Sequence, residues 1–297
     1  MSDYKKVIIF LLIVFSIAVP LRYAFAIEGD VNIISKFLSI NFLGMLILLI
    51  AALLLQRTSK RKFARYALLG ISIALLGFYT SGCICPIGAF QNLPLIFTNI
   101  DNSEFIYYLV FTLLPVSLAI LAGRIFCGNV CPIGAVSEVM FKIGTKLKLN
   151  KGGSGLVKLK YSRYFKYGFM AFLIVLTAMT GMALFCWLDP FATLFALSGS
   201  SVSIGILVCV LFTSLFISRA WCRVICPYGA LLGIVSALSS RLKLRSATAH
   251  IDKKLCTNCG LCQKSCPVDA IENGVIRQSE CINCGECRSK CKRGSLK

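Results

Sequence analysis

Long apolar blocks alternate with short basic ones along the first 240 residues of the chain. Blocks occur at residues 7–27, 38–55, 66–82, 105–123, 167–188 and 202–218. Each approaches the ~20 residues that carry an α-helix across a ~30 Å hydrocarbon core, so the pattern predicts about six membrane-spanning helices. The first block has a rival reading as a cleaved signal peptide: Pro20 follows a short apolar core, and Ala24-Phe25-Ala26 resembles a cleavage site.

The segments between blocks set the expected orientation. Arg57, Lys60, Arg61, Lys62 and Arg65 follow the second block. Lys142, Lys146, Lys148, Lys151, Lys158, Lys160 and Arg163 fill the stretch from Arg124 to Lys166, with Lys151-Gly-Gly-Ser-Gly155 as a flexible break. By contrast, Ser81–Glu104 and 189–201 hold no Lys or Arg. Basic loops stay in the cytoplasm, which predicts cytoplasmic N- and C-termini in a prokaryotic inner membrane.

Composition agrees. The 297 residues are 57% hydrophobic with a mean hydropathy of +0.80, beyond an ordinary soluble domain. The formal charge of +20 is spread between apolar blocks, which argues for a lipid partner and against nucleic acid. Sixteen cysteines beside a single histidine, closely and regularly spaced, point to metal ligation by thiolate instead of a disulfide framework.

One string recurs. Arg219–Ala230 reads R-A-W-C-R-V-I-C-P-Y-G-A, and Arg124–Ala135 reads R-I-F-C-G-N-V-C-P-I-G-A; a shortened copy, C-I-C-P-I-G-A, spans Cys83–Ala89. The third-and-fourth and fifth-and-sixth blocks therefore read as two copies of one helical hairpin. A pseudo-twofold between them would gather Cys127, Cys131, Cys222 and Cys226, four thiolates suited to an iron–sulfur cluster. Pro132 and Pro227 fit the first position of a helix and aim free amides at the thiolates. Arg124, Arg219 and Arg223 would add positive charge beside a negative site. The competing reading is buried structural cysteine. On the outer face, Cys83, Cys85 and Cys186 form either a further metal site or a disulfide from Cys186 to Cys83 or Cys85. Cys209 lies ~10 Å into the sixth block at 1.5 Å per residue, and plain packing ranks above its alternative reading as a fourth ligand of that outer site.

The C-terminal domain carries a denser pattern. Cys256, Cys259, Cys262 and Cys266-Pro267 follow C-x2-C-x2-C-x3-C-P, and Cys281, Cys284, Cys287 and Cys291 repeat it with Lys292 in place of proline. In dicluster ferredoxins the fourth cysteine of each run serves the other run's cluster. The expected sets are Cys256, Cys259, Cys262 and Cys291 for one [4Fe-4S] cluster, and Cys281, Cys284, Cys287 and Cys266 for the second. Zinc is the alternative, but two consecutive four-cysteine runs exceed what a zinc site needs. Asn273-Gly274 supplies a tight hairpin turn.

With its Cys-x3-Cys-Pro motifs at Cys127–Pro132 and Cys222–Pro227 and its dicluster tail at 256–291, the chain resembles the membrane polyferredoxins of the NapH and MauN type, related to the electron-transfer region of NosR. The resemblance implies a membrane-bound iron–sulfur protein passing electrons between the quinone pool or cytoplasmic donors and a partner redox enzyme. The Cys83–Pro86 motif departs from that family's usual two-motif pattern.

The expected architecture is an α-helical integral membrane domain over 1–240 with an internal hairpin repeat, followed at 241–297 by a small α+β ferredoxin-like domain. Electron transfer is the first functional expectation. A maturation factor delivering electrons to a partner's metal or cofactor site, and a metal or thiol-redox protein without long-range transfer, are the others. His250 alone cannot supply bis-histidine haem, and no P-loop, dinucleotide fingerprint or hydrolytic nucleophile occurs. Asp189 at the outer end of the fifth block reads as a helix cap, with quinol proton acceptance as its rival.

Overall fold

The computed structural model describes residues 40–56, 61–79, 88, 90–91, 102–150, 164–181, 185, 188–197, 199–242, 249–252, 254–291 and 293–296. The first apolar block and Cys83, Cys85 and Cys186 lie outside them. Within them the chain is mostly helical.

Apolar helices occupy the places of the second to sixth blocks: α1 (Ile40–Leu55), α2 (Arg61–Ser72) with a π-helical continuation (Ile73–Tyr79), α3 (Asn102–Ala122), α6 (Phe165–Thr180) and α8 (Ser201–Phe216). Among the described residues one helix, Lys62–Tyr79, is long and apolar enough to cross a membrane, and α7 (Pro190–Ala196) with α8 passes only as a pair bent by 99°. Phe42–Leu55, Leu109–Ala122 and Phe165–Thr180 are shorter apolar helices. Large apolar side chains stand exposed along them, including Ile47, Leu54, Leu121, Phe172, Phe212 and, at 81%, Met179. Such continuous outward apolar surface needs a cover other than water.

Local chemistry sets the ends. Gly181 closes α6 in the left-handed region at φ 65°, where a residue without Cβ is unstrained. Asp189 caps α7, its Oδ1 accepting from Phe191 N at 2.9 Å, and Ser200 caps α8 by accepting from Ser203 N at 3.2 Å. The Asp189 cap is the role expected from the sequence.

The stretch read as a cytoplasmic loop after Arg124 contains two helices, α4 (Ile125–Asn129) and α5 (Pro132–Lys146). The second repeat has the same pair, α9 (Ala220–Val224) and α10 (Pro227–Arg241). These helices cross over between repeats. The first repeat's α5 packs on α8 of the second, and α10 of the second packs on α3 of the first and on α6. Small side chains allow the approach: Ser137 and Ser214 Oγ are 3.5 Å apart, and Tyr228 Oη donates to Thr112 O at 3.0 Å. Each motif is thereby held by helices of both halves.

The C-terminal domain has two short helices, α11 (Leu261–Ser265) and α12 (Glu286–Lys290), which pack together. Strands β1 (Ile271–Glu272) and β2 (Val275–Ile276) pair antiparallel, Ile271 opposite Ile276. Asn273 and Gly274 both have positive φ, the tight turn that Asn-Gly favours. Val268, Ala270, Ile271 and Ile282 join one continuous core with Phe126 and Tyr228 of the helical part.

Candidate iron–sulfur centres

The two Cys-x3-Cys-Pro motifs meet. Cys127, Cys131, Cys222 and Cys226 line one cavity, walled by Met45, Leu76, Phe111, Phe191 and Tyr228. The thiols are close enough that charge on Cys222 and Cys127 acts on both Cys131 and Cys226. Cys131 and Cys226 are the N-cap residues of α5 and α10, with Pro132 and Pro227 at the start of each helix. Gly229 N donates to Cys226 Sγ at 3.3 Å, so a helix N-terminus with its free amides faces the sulfur, an arrangement that favours anionic thiolate.

The arginine of each motif reaches across to the other. Arg219 Nη1 donates to the carbonyl of Cys127, and a Cβ on Gly134 would lie 3.0 Å from that nitrogen. Reciprocally, a Cβ on Gly229 would lie 3.0 Å from Arg124 Nη2. This explains why arginine and the Pro-x-Gly-Ala glycine recur together: each guanidinium occupies the space that a side chain would take in the opposite repeat.

The positive charge expected of these arginines is shared with nearby acids. Arg219 Nη2 pairs with Glu138 Oε2 at 2.7 Å, and Arg65 Nη2 pairs with the same oxygen at 2.5 Å. Arg124 Nη1 lies 3.3 Å from Glu280 Oε2, and Lys166 Nζ lies 2.6 Å from it. Arg223 lies 3.8 Å from Asp269. Sequence reasoning missed these buried acids. The available signal was scarcity, since the chain has only 12 acidic residues against 32 basic ones and Glu280 directly precedes Cys281. Arg124 Nε and Arg219 Nε are nonetheless buried without a hydrogen-bond partner, and both guanidinium groups act electrostatically on Cys222. Buried guanidinium charge acting on a thiol of this four-cysteine cavity fits an anionic cluster.

In the C-terminal domain Cys266, Cys281, Cys284 and Cys287 line a second cavity with Val268, Ile271 and Ile282. This gathers the fourth cysteine of the first run with three of the second, the crossed set expected from spacing. Burial pushes the Cys266 thiol up to about 12, with neighbouring Cys284 adding to it, so loading iron there displaces protons. Ala270 N donates to Cys266 Sγ at 3.3 Å. Of the other set, Cys256 and Cys259 act electrostatically on Cys262, Cys259 is exposed, and Cys291 Sγ lies 3.1 Å from Ser295 Oγ. Both runs wrap alike: Asn258 and Gly260 in one, Asn283 and Gly285 in the other, all have positive φ. The shared Cys-x-Asn-Cys-Gly was legible in the sequence beyond the cysteine spacing.

Among the described residues no three His, Cys, Asp or Glu side chains gather tightly enough for a single metal ion. Cysteines around cavities suit a cubane instead, whose corners hold thiolates farther apart than one ion does. Cys209 is exposed on α8, not packed inside as expected, because that face of the helix points away from the bundle.

The crossed cavity lies against the motif cavity. A Cβ on Gly128, next to Cys127, would lie 2.1 Å from Ile282 O, next to Cys281. Asn283 Nδ2 donates to Ala122 O at 3.1 Å, Arg124 Nη1 to Ser279 O at 3.0 Å, and Ser236 Oγ to Gln278 O at 2.6 Å.

Comparison with known proteins agrees with this construction. A 4Fe-4S binding domain model matches residues 105–150 and 201–245, one match per repeat, and a second 4Fe-4S binding domain model matches 249–272. An uncharacterized protein of Methanocaldococcus jannaschii is 32% identical over 214 residues, 65% of this chain and 87% of that protein. The ferredoxin-type protein NapH of Haemophilus influenzae is 31% identical over 153 residues, 50% of this chain and 49% of NapH. The methylamine utilization ferredoxin-type protein MauN of Paracoccus denitrificans is 28% identical over 152 residues, 50% of each. The chain thus spans most of the archaeal relative but about half of NapH and MauN. No solved structure matches it. Repeated motifs, crossed ferredoxin cysteines and these matches together place the chain in the NapH/MauN-type polyferredoxin family of iron–sulfur electron-transfer proteins.

Proposed function

We propose that this protein is a multi-pass component of a prokaryotic cytoplasmic membrane, with both termini cytoplasmic and about six spans, that relays electrons through three iron–sulfur sites. Cys256, Cys259, Cys262 and Cys291 hold the outermost. Cys281, Cys284, Cys287 and Cys266 hold the middle one, and Cys127, Cys131, Cys222 and Cys226 the innermost. Each bound cluster supplies reversible one-electron exchange. The chain's own residues exclude water from the inner two sites, supply their amides and fix their separation. Beyond the innermost site the electron acceptor or donor is a membrane quinone or a partner redox enzyme.

The observation that carries this order is the approach of the Ile282 carbonyl to Gly128, where a Cβ would sit 2.1 Å away. It presses the Cys281 loop onto the Cys127 loop with no side chain between their backbones. A domain merely tethered to a membrane anchor has no need of that contact. The outward apolar surface of α1, α3, α6 and α8 supports the membrane placement.

Iron analysis and EPR of the reduced protein test the reading. About 12 iron atoms per chain are expected for three cubanes, falling to about 8 in both Cys127→Ala and Cys222→Ala with loss of the same signal. Retention of the third signal in either variant would overturn the assignment of the motif cysteines.

A further inference from the structure

The charges of the C-terminal domain are sorted by face. Between residues 249 and 297 there are five acids: Asp252, Asp269, Glu272, Glu280 and Glu286. Three turn toward the helical part: Glu280 to Arg124 and Lys166, Glu286 to Lys62 at 3.2 Å, and Asp269 to Arg223. Glu272 pairs within the domain with Arg277, and Asp252 Oδ1 accepts from Lys254 N at 3.0 Å. The described hydrogen bonds and ion pairs with the helices come from Asp269 and 278–286. The Cys256–Cys262 loop carries none of them. Among the described residues of this domain the exposed charges are of one sign, Lys254, Lys264, Lys290 and Arg293, while Asp252 and Glu272 are partly exposed. At the centre of the Cys256–Cys262 loop Cys259 is exposed, flanked by Leu255 and Leu261, exposed at 47% and 42%. An apolar centre with a charged rim is the anatomy of a transient protein interface.

Resting on the relay reading, we infer that this face docks a small soluble electron-carrier protein with an acidic surface, which exchanges electrons with the Cys256 set. Three of the five acids that would repel such a partner are engaged with the helical part, Glu272 is paired with Arg277, and the like-charged rim would repel a basic partner, so recognition here works by exclusion as well as attraction. The step is a one-electron transfer. The reduced carrier loses one electron, the iron–sulfur group of the Cys256 set gains it, and no bond forms or breaks. Complementary charge raises the encounter rate, and salt lowers it.

The full-length protein in detergent, loaded with iron and sulfide, is mixed in stopped flow with reduced flavodoxin as the acidic carrier and, separately, with photoreduced deazariboflavin as a small uncharged reductant. With flavodoxin, the second-order rate is expected to fall at least tenfold between 20 mM and 300 mM salt. Combined reversal of Lys254, Lys264, Lys290 and Arg293 to glutamate is expected to slow it at least tenfold at low salt while leaving the deazaflavin rate within twofold. An unchanged flavodoxin rate in that variant overturns the docking face, as does equal slowing with both reductants. A wild-type rate suppressed by anionic-lipid vesicles but indifferent to salt and to the reversal assigns the face to a lipid surface instead. If neither reductant reduces the wild-type clusters, the relay itself fails, and this inference fails with it.

Discussion

Arg219, completely buried between the repeats, donates from Nη1 to the carbonyl of Cys127, ninety-two residues away. The same guanidinium binds Glu138, so one side chain ties the backbone of a cysteine in the first motif to a helix that follows it. Arg124 stands in the equivalent place against Gly229. The four motif cysteines are therefore positioned by their opposite repeats, and neither motif is expected to form its half of the site alone.

Gly134→Ala tests this crossing. The new Cβ would lie 3.0 Å from Arg219 Nη1 and 3.3 Å from Cys127 O, so the guanidinium must shift. Overpacking of this kind costs about 1–3 kcal/mol. A lower melting temperature with selective loss of the third EPR signal is expected. Unchanged values for both would show that the guanidinium's place does not matter.

Gly128→Ala separates docking from assembly. Its Cβ would lie 2.1 Å from Ile282 O, a backbone atom that cannot step aside as a flexible side chain does. Both ferredoxin EPR signals should persist, since their cysteines are untouched, while electron transfer from the C-terminal domain to the motif site slows at least tenfold. Freeze-quench EPR after rapid reduction follows the transfer directly. Equal rates in variant and wild type would remove the contact from the pathway.

How far the sequence foretold the molecule depends on the range of the interaction. The crossed assignment of Cys266 to the second run was legible because cysteine spacing encodes it, as was the Asn273-Gly274 turn, which needs only two residues. Pro132 and Pro227 announced the starts of α5 and α10 for the same local reason. What packs on those helices was not legible. Ser137 against Ser214 and Arg219 against Gly134 depend on how two repeats cross, and an isolated serine or glycine has no sequence signal for its partner. The acids beside the arginines were illegible for a related reason: formal charge is visible in the sequence, but the buried Glu138 and Glu280 that pair with Arg219 and Arg124 are not near neighbours along the chain.

Glu138 should make stability depend on acid. Burial alone would raise its pKa, but Arg65 and Arg219 outweigh burial and hold the carboxyl well below the usual range. A depressed folded pKa means that the unfolded chain binds the proton first as pH falls. The stabilisation is thus complete above the ordinary value of 4.5 and is lost progressively below it. Glu138→Gln leaves Arg219 without its anion and Arg65 with only Glu286 at 3.5 Å, a loss of about 3–5 kcal/mol. The melting-temperature gap between wild type and variant should hold from neutrality down to about pH 4.5 and narrow as pH falls further below it. A gap independent of pH would mean that the carboxylate charge contributes nothing.

Asp189 offers two roles that one pair of substitutions divides. Its Oδ1 accepts from Phe191 N, and its carbonyl accepts from Thr193 Oγ1 at 3.2 Å, so it organises the first turn of α7. Asparagine can make the same cap but cannot take up a proton. If capping is the whole role, Asp189→Asn should keep stability and electron-transfer rate near wild type. Asp189→Ala should then cost about 1 kcal/mol, seen as a lowered melting temperature. A carboxylate that accepts a proton during quinol oxidation would give the opposite result: both variants would melt differently but fail alike in turnover with a quinol, with Asn unable to rescue. Comparing Asn with Ala in both assays therefore decides whether Asp189 is a structural corner or part of the redox chemistry.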